Sequence, residues 1–419
     1  MEQELYIKLL KKELVEAKGC TEPLAIAYLS SVARSFLEED PIEATLYCSS
    51  NIIKNARCAM VPGCKGFYGV YASCALGIFG GNSKLGFDCI SKITDEQKNR
   101  ACEFVEQKKI KLETLKTNCK LHLKIDLKGP KNNIYVEIKD YHLNVVKIKK
   151  NNNLIYENNS LKDNDSTDDY DDILAFDKIY EFVEKVDIKK VKPILEPQYI
   201  HNLEIANYSM SHPEFGLNIG KTILDNDKSV FGKIKAYTAS ASEARMCGCN
   251  MSVIINSGSG NQGLSSSLPV IIYAQENNID AEKMYRALLL ANLLTIAQKN
   301  KIGSLSAFCG AVSSCGGSGA AITYLANGTK EQVIKTLKNH LATVPGIICD
   351  GAKASCAAKI SASLDSAIMA HRLALNNLCY ANDEGILKDN VDEIISIVSN
   401  IGRDGMSRTD EEIMKVLVK

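Results

Sequence analysis

Four cysteines crowd two short stretches of this sequence. "FCGAVSSCGGSGAA" (308–321) supplies Cys309 and Cys315, and "IICDGAKASC" (347–356) supplies Cys349 and Cys356. Glycine lets a backbone approach a bulky group closely. Thiolates ringed by backbone N–H donors are what an iron–sulfur cluster needs. Zinc is the competing metal, but its structural sites use cysteine pairs about two to four residues apart, twice over. The pattern here is different. Cys349 follows the breaker Pro345–Gly346, with Asp350 placed to cap a helix and Cys356 falling in that helix's second turn. Spacing alone leaves metal ligation and four packed thiols equally open.

Three further stretches carry polar chemistry. "CTEP" (20–23) follows Gly19 at the expected end of a helix, so Cys20 is expected at an exposed turn. A cysteine there serves as nucleophile, base or ligand, with Glu22 the alternative base. The plainer reading is that Thr21 and Glu22 cap the next helix. "SGSGNQG" (257–263) offers amides and hydroxyls without net charge, which suits a small carboxylate. It has neither the lysine of a phosphate loop nor dinucleotide spacing, so nucleotide binding is rejected. "NIIKNA" (51–56) sets Lys54 between asparagines, to pair with that carboxylate or to be solvated. The candidate substrate contacts are therefore Thr21, Asn51, Lys54, Asn55, Ser257, Ser259, Asn261 and Gln262. The six histidines fall in no metal or triad spacing. A lysine carrying pyridoxal phosphate needs no long motif and stays open.

The elements that must position these residues are readable from periodicity. Helices are expected over 3–18, 25–37 and about 94–108, and a strand over 42–50. Residues 119–127 and 133–150 alternate with the period of antiparallel strands. The tract 151–172 is the most polar of the chain, and is expected to hold a strand end and an exposed connection. From 173 onward the pattern is helical, interrupted at 256–269, at the "CGGSG" turn (315–319) and at 344–351. The last helix is expected to open at "TDEE" (409–412). The fold class is thus α+β. A mainly helical catalytic domain (1–40 and 173–419) receives an inserted mixed α+β domain (41–172).

Composition narrows the partners. Lysine plus arginine balances aspartate plus glutamate at 50 each, giving no electrostatic reason to expect nucleic acid or an anionic membrane. No apolar run nears the roughly 20 residues needed to span a bilayer. The N-terminus reads as a charged amphipathic helix and not a signal peptide, so a cytoplasmic protein is expected. Fifteen cysteines, an odd number, form no secreted disulfide framework. Cys48, Cys58, Cys64, Cys74, Cys89, Cys102, Cys119 and Cys379 sit singly among apolar or mixed neighbours and read as packed thiols. The pair Cys247 and Cys249 stands apart from them.

Together "GCTEP", "NIIKNA…VPG", "GSGNQG", "FCGAVSSCGGSGAA", "GIICDGAKASCAAK" and "GRDGMSRTD" resemble the L-cysteine desulfidase family, oxygen-sensitive enzymes related to bacterial iron–sulfur L-serine dehydratases. The likeness runs through nearly the whole chain. It implies one 4Fe–4S cluster per chain on Cys309, Cys349 and Cys356, with Cys309 fitting the family's layout better than Cys315. The family's proposed catalytic base falls on Cys20. The implied reaction is cleavage of L-cysteine to hydrogen sulfide, ammonia and pyruvate. L-serine dehydration on the same cluster is the alternative within enzymes, and a non-catalytic metal or redox sensor the alternative outside them. The expected partner is a small-molecule substrate, with a homodimer as the candidate assembly.

Overall fold

The computed structural model describes residues 2–117, 119, 121–158, 170–303 and 306–418. Helix α1 (Glu2–Glu13) buries Tyr6, Leu9 and Leu10 at helical spacing. The helix expected over 3–18 stops there. Glu16–Lys18 is strand β1, paired antiparallel with β8 (Ser252–Ile254) in the register Lys18↔Ser252. Helix α2 (Thr21–Phe36) then starts directly at Thr21, with Cys20 as its N-cap residue.

The sheet follows. Strands β2 (Glu43–Ser49), β3 (Ile110–Leu115), β4 (His122–Lys128), β5 (Asn133–Lys139), β6 (Val145–Lys150) and β7 (Asn153–Glu157) lie in the order β3-β2-β4-β5-β6-β7. Only the β2–β3 pair is parallel. Helices α3 (Ser50–Ala56), α4 (Gly69–Gly80) and α5 (Asp95–Glu106) fill the crossover between β2 and β3, and a Thr94–Gln97 capping box starts α5. The alternation legible in the sequence becomes cross-strand apolar pairs: Leu123↔Ile138, Ile125↔Val136 and Leu127↔Ile134. Leu24, Ile26 and Leu29 of α2 are buried in the same core as these strands. Helix α2 therefore belongs with the sheet, whereas the sequence reading grouped residues 1–40 with the later helices. The period of a helix does not reveal which surface it will cover. Within the polar tract, β7 is the expected strand; residues 159–169 lie outside the described residues.

The remaining helices are α6 (Phe176–Lys185), α7 (Ile188–Ser211), α8 (Ile219–Asn226), α9 (Val230–Met246), α10 (Gly260–Glu276), α11 (Ala281–Ile302), α12 (Gly310–Leu325), α13 (Lys330–Thr343), α14 (Cys356–Leu375), α15 (Val391–Asn400) and α16 (Ser407–Val418). The expected "CGGSG" turn is instead the interior of α12. A Cβ on Gly317 would stand 2.9 Å from the Ala291 carbonyl oxygen of α11, so the small residues serve close helix contact and not a bend. The last helix opens at Ser407, ahead of "TDEE", after a π-helical turn over Ile401–Gly405. Among the described residues no helix is long and apolar enough to cross a membrane.

Candidate active site

One pocket of about 130 Å³ gathers side chains from both halves of the fold, and Cys20, Cys309, Cys349 and Cys356 all line it. Two backbone devices bring them together. Because Lys18 lies opposite Ser252, the chain leaves β1 beside the end of α9, where Arg245 Nη2 donates to the Gly19 carbonyl. On the other side the Cys309 N–H donates to Ile347 O at 2.8 Å and the Cys349 N–H to Ala307 O at 2.7 Å. These reciprocal bonds zip the two thiol-bearing loops together as a short antiparallel bridge.

The thiols then meet helix ends. Cys309 is the N-cap residue of α12, and Cys356 is the first residue of α14, not in its second turn as expected. The backbone N–H groups of Ala311 and Lys353 are directed at the Cys309 and Cys356 sulfurs. Asp350 caps nothing. It pairs with Lys353 and Lys359, and Lys359 Nζ also donates to Ile348 O at 2.8 Å. Burial pushes the Cys309 thiol up, and the neighbouring Cys349 and Cys356 push it further. Burial likewise raises Cys356. Thiols so placed give up their protons to a cation that replaces them. Among the described residues no three His, Cys, Asp or Glu side chains converge on a single metal ion. Three sulfur donors lining one pocket without converging on a single point suit a multi-iron cluster better than a four-coordinate zinc.

Cys20 is buried, with 3% exposure, in a small apolar cluster that includes Cys356, and is not displayed at a turn as the sequence suggested. Its Sγ donates to Glu22 Oε2 at 3.1 Å. Burial raises the Cys20 thiol well above its ordinary value, Glu22's charge adds to this, and Arg245 opposes it. Glu22 behaves oppositely. Burial alone would raise it, but His142, Cys20 and Asn55 together hold it below the usual carboxylate range. Asn55 Nδ2 donates to Glu22 Oε1 at 2.9 Å, and Thr21 Oγ1 to Glu22 Oε2 at 3.2 Å. The resting pair is thus a thiol beside a carboxylate.

Of the candidate substrate contacts, Thr21, Asn55, Ser257, Ser259, Asn261 and Gln262 line the pocket. Ser259 caps α10 by accepting from the Gln262 N–H, so part of this loop is already a helix start. Gln262 Nε2 donates to Asn256 O at 2.8 Å. A Cβ on Gly310 would fall 1.6 Å from Gln262 Oε1, so glycine there lets the amide-rich loop lie against the first turn of α12. Asn51 and Lys54 are not brought in. Lys54 is 2% exposed and spends its charge on Asp410 Oδ1 at 2.6 Å, with Ser306 O at 3.5 Å. It fastens α16 and the approach to Cys309. Cys315 points away, fully buried near Ile360 O. Cys247 and Cys249 also lie outside the pocket, Cys249 in a hydrophobic core.

Sequence reasoning passed over Arg245, His142 and Lys299, which also line the pocket. Arg245 is 4% exposed. His142 comes from the β5–β6 connection, and its buried Nε2 has no hydrogen-bond partner among the described residues. Burial pushes its imidazole down while Glu22's charge pulls it back. None of the three belongs to a recognisable motif. The only local signal was "SEARMCGC" (242–249), where the cysteine pair draws attention away from the arginine.

The family model described as serine dehydratase alpha chain matches residues 85–415. A UPF0597 protein of Treponema denticola is 40% identical over 99% of this chain and 98% of its own length. A UPF0597 protein of Lachnoclostridium phytofermentans is 42% identical over 98% and 99%. One of Finegoldia magna is 38% identical over 99% of both.

Proposed function

The chain belongs to the serine dehydratase alpha-chain family, as an iron–sulfur dehydratase-like lyase, and on that premise we propose that it is an L-cysteine desulfidase. The observation that carries the proposal is the pocket in which Cys20 and Glu22 face Cys309, Cys349 and Cys356. In this reading L-cysteine loses its α-proton and its sulfur to give aminoacrylate, which hydrolyses to pyruvate and ammonia.

Cys309, Cys349 and Cys356 would hold the 4Fe–4S cluster. When bound, the cluster would supply a Lewis acid for a poor leaving group such as sulfide. The chain's own residues handle the proton. Cys20 is a thiol at rest, so it acts with Glu22: the carboxylate takes the Cys20 proton as the sulfur takes the substrate's α-proton. Asn55 and Thr21 keep Glu22 aimed at Cys20 through the bonds described above. The amide-rich loop at 257–263 flanks the substrate, and burial of Cys20 and Glu22 keeps bulk water from the proton transfer.

A second reading, L-serine dehydration at the same site, is favoured by the family match to the serine dehydratase alpha chain. Anaerobic purification with iron and sulfide analysis, followed by pyruvate assays on both amino acids, tests the two together. Pyruvate and sulfide from L-cysteine at a kcat/KM well above that for L-serine supports the desulfidase. The reverse ratio makes it a serine dehydratase, and iron-free protein with full activity removes both.

A further inference from the structure

We propose that Arg245 is the anchor for the substrate's α-carboxylate, which restricts the pocket to free α-amino acids. The inference rests on the lyase reading above and deepens it.

Arg245 lines the pocket at 4% exposure. It donates to two neutral oxygens, Gly19 O and, at 3.2 Å, Asn261 Oδ1. Its Nε is buried without a partner, and Cys20 and Glu22 act on the guanidinium by charge alone, with no ion pair formed among the described residues. A guanidinium taken out of water is costly unless an anion meets it. Glu22, the acidic residue that lines the pocket, is already bonded by Cys20, Thr21 and Asn55.

A second observation points the same way. Gly260, the first residue of the 17-residue α10, lies against the guanidinium: a Cβ there would stand 2.3 Å from Nε. The positive end of a long helix therefore sits beside a buried positive side chain, where each would repel the other without a shared anion. A carboxylate satisfies both, and the fork geometry of arginine suits it. The location is also apt. Arg245 holds the carbonyl of Gly19, the residue before Cys20, so a carboxylate anchored there carries its α-carbon to the Cys20–Glu22 side.

The test compares acid with amide. Affinity for L-serine and L-serinamide is measured calorimetrically on the anaerobic, cluster-loaded protein, alongside turnover of L-cysteine and L-cysteinamide. The parent should prefer each acid. Arg245→Gln should lower that preference roughly 10- to 100-fold, the scale of one charge-assisted hydrogen-bonded contact, with binding of the amide and iron content unchanged. Arg245→Lys, which keeps the charge but loses the fork, should fall between, and it serves if the glutamine variant does not fold. An acid-to-amide ratio equal to the parent's in the folded variants would overturn the assignment, as would a parent with no preference for the acid. A parent that binds L-serine through Arg245 but turns over neither amino acid would overturn the lyase reading and leave the carboxylate anchor standing.

Discussion

The start of α12 carries two cysteines, one at its N-cap and one in its second turn, in different surroundings. Cys309 stands at the N-cap, facing a pocket with two other thiols and the Ala311 N–H directed at its sulfur. Cys315 is fully buried, its Sγ 3.9 Å from Ile360 O, with the hydroxyls of Ser363 and Ser265 beside it. Burial pushes the Cys315 thiol up to about 12. Both thiols resist ionisation, so burial alone does not distinguish them. What differs is company. Cys309 shares its pocket with other thiols and a backbone N–H, as the proposed ligand role requires, whereas Cys315 is enclosed against helix α14. The difference teaches that shared space separates the two thiols where sequence distance and burial do not.

The largest effect should come from exchanging the two. Cys309→Ser, Cys349→Ser or Cys356→Ser should each strip or severely destabilise the iron, since a hydroxyl is a poor substitute for a thiolate. Cys315→Ser should keep iron near the parental level. Iron lost from the Cys315 variant and retained by Cys309→Ser would reverse the comparison.

Next in size is the acid–base side of the pocket. Cys20→Ser and Glu22→Gln should each retain iron yet lose turnover by roughly 10²–10⁴-fold, the usual scale for a general base. Exchange of the substrate α-hydrogen with deuterated solvent, followed by mass spectrometry, should fall in parallel. Loss of iron from the Cys20 variant would make Cys20 a fourth ligand.

Support of the ligand loop is a smaller matter of stability. Lys54→Met leaves Asp410, 21% exposed, without its partner and releases Ser306 O. A loss of about 1–3 kcal/mol in urea unfolding is expected, less than for a fully buried pair because Asp410 reaches water. Parental stability in this variant would show that the loop before Cys309 stands unaided.

The smallest effect is chemical reactivity at pH 8. Alkylation needs the thiolate. In native cluster-free protein, Cys315 and Cys74, both pushed up to about 12 by burial, should stay unmodified while the exposed Cys58 reacts. Modification of Cys315 at the rate of Cys58, read by peptide mass, would show that α12 opens locally.

Much of the sheet and of the site's membership was legible beforehand. Alternation in 119–150 marked β4 to β6, because burial on one face repeats every second residue. The thiol and amide stretches were visible as clusters of unusual residue types. Four things were not. Short strand β1 hid inside a helical pattern, because three residues carry too little periodicity to oppose it. The small residues of 315–319 looked like a turn, though a neighbouring helix was what required them. Lys54 looked like an anion binder until its partner Asp410, distant in sequence, was brought to it. Arg245 lay in no motif at all. Composition, spacing and local period determined which elements this chain forms and which residues are chemically able. The tertiary structure alone decided which of them share a pocket, because contact between residues hundreds of positions apart is set by packing, and packing leaves no local mark in the sequence.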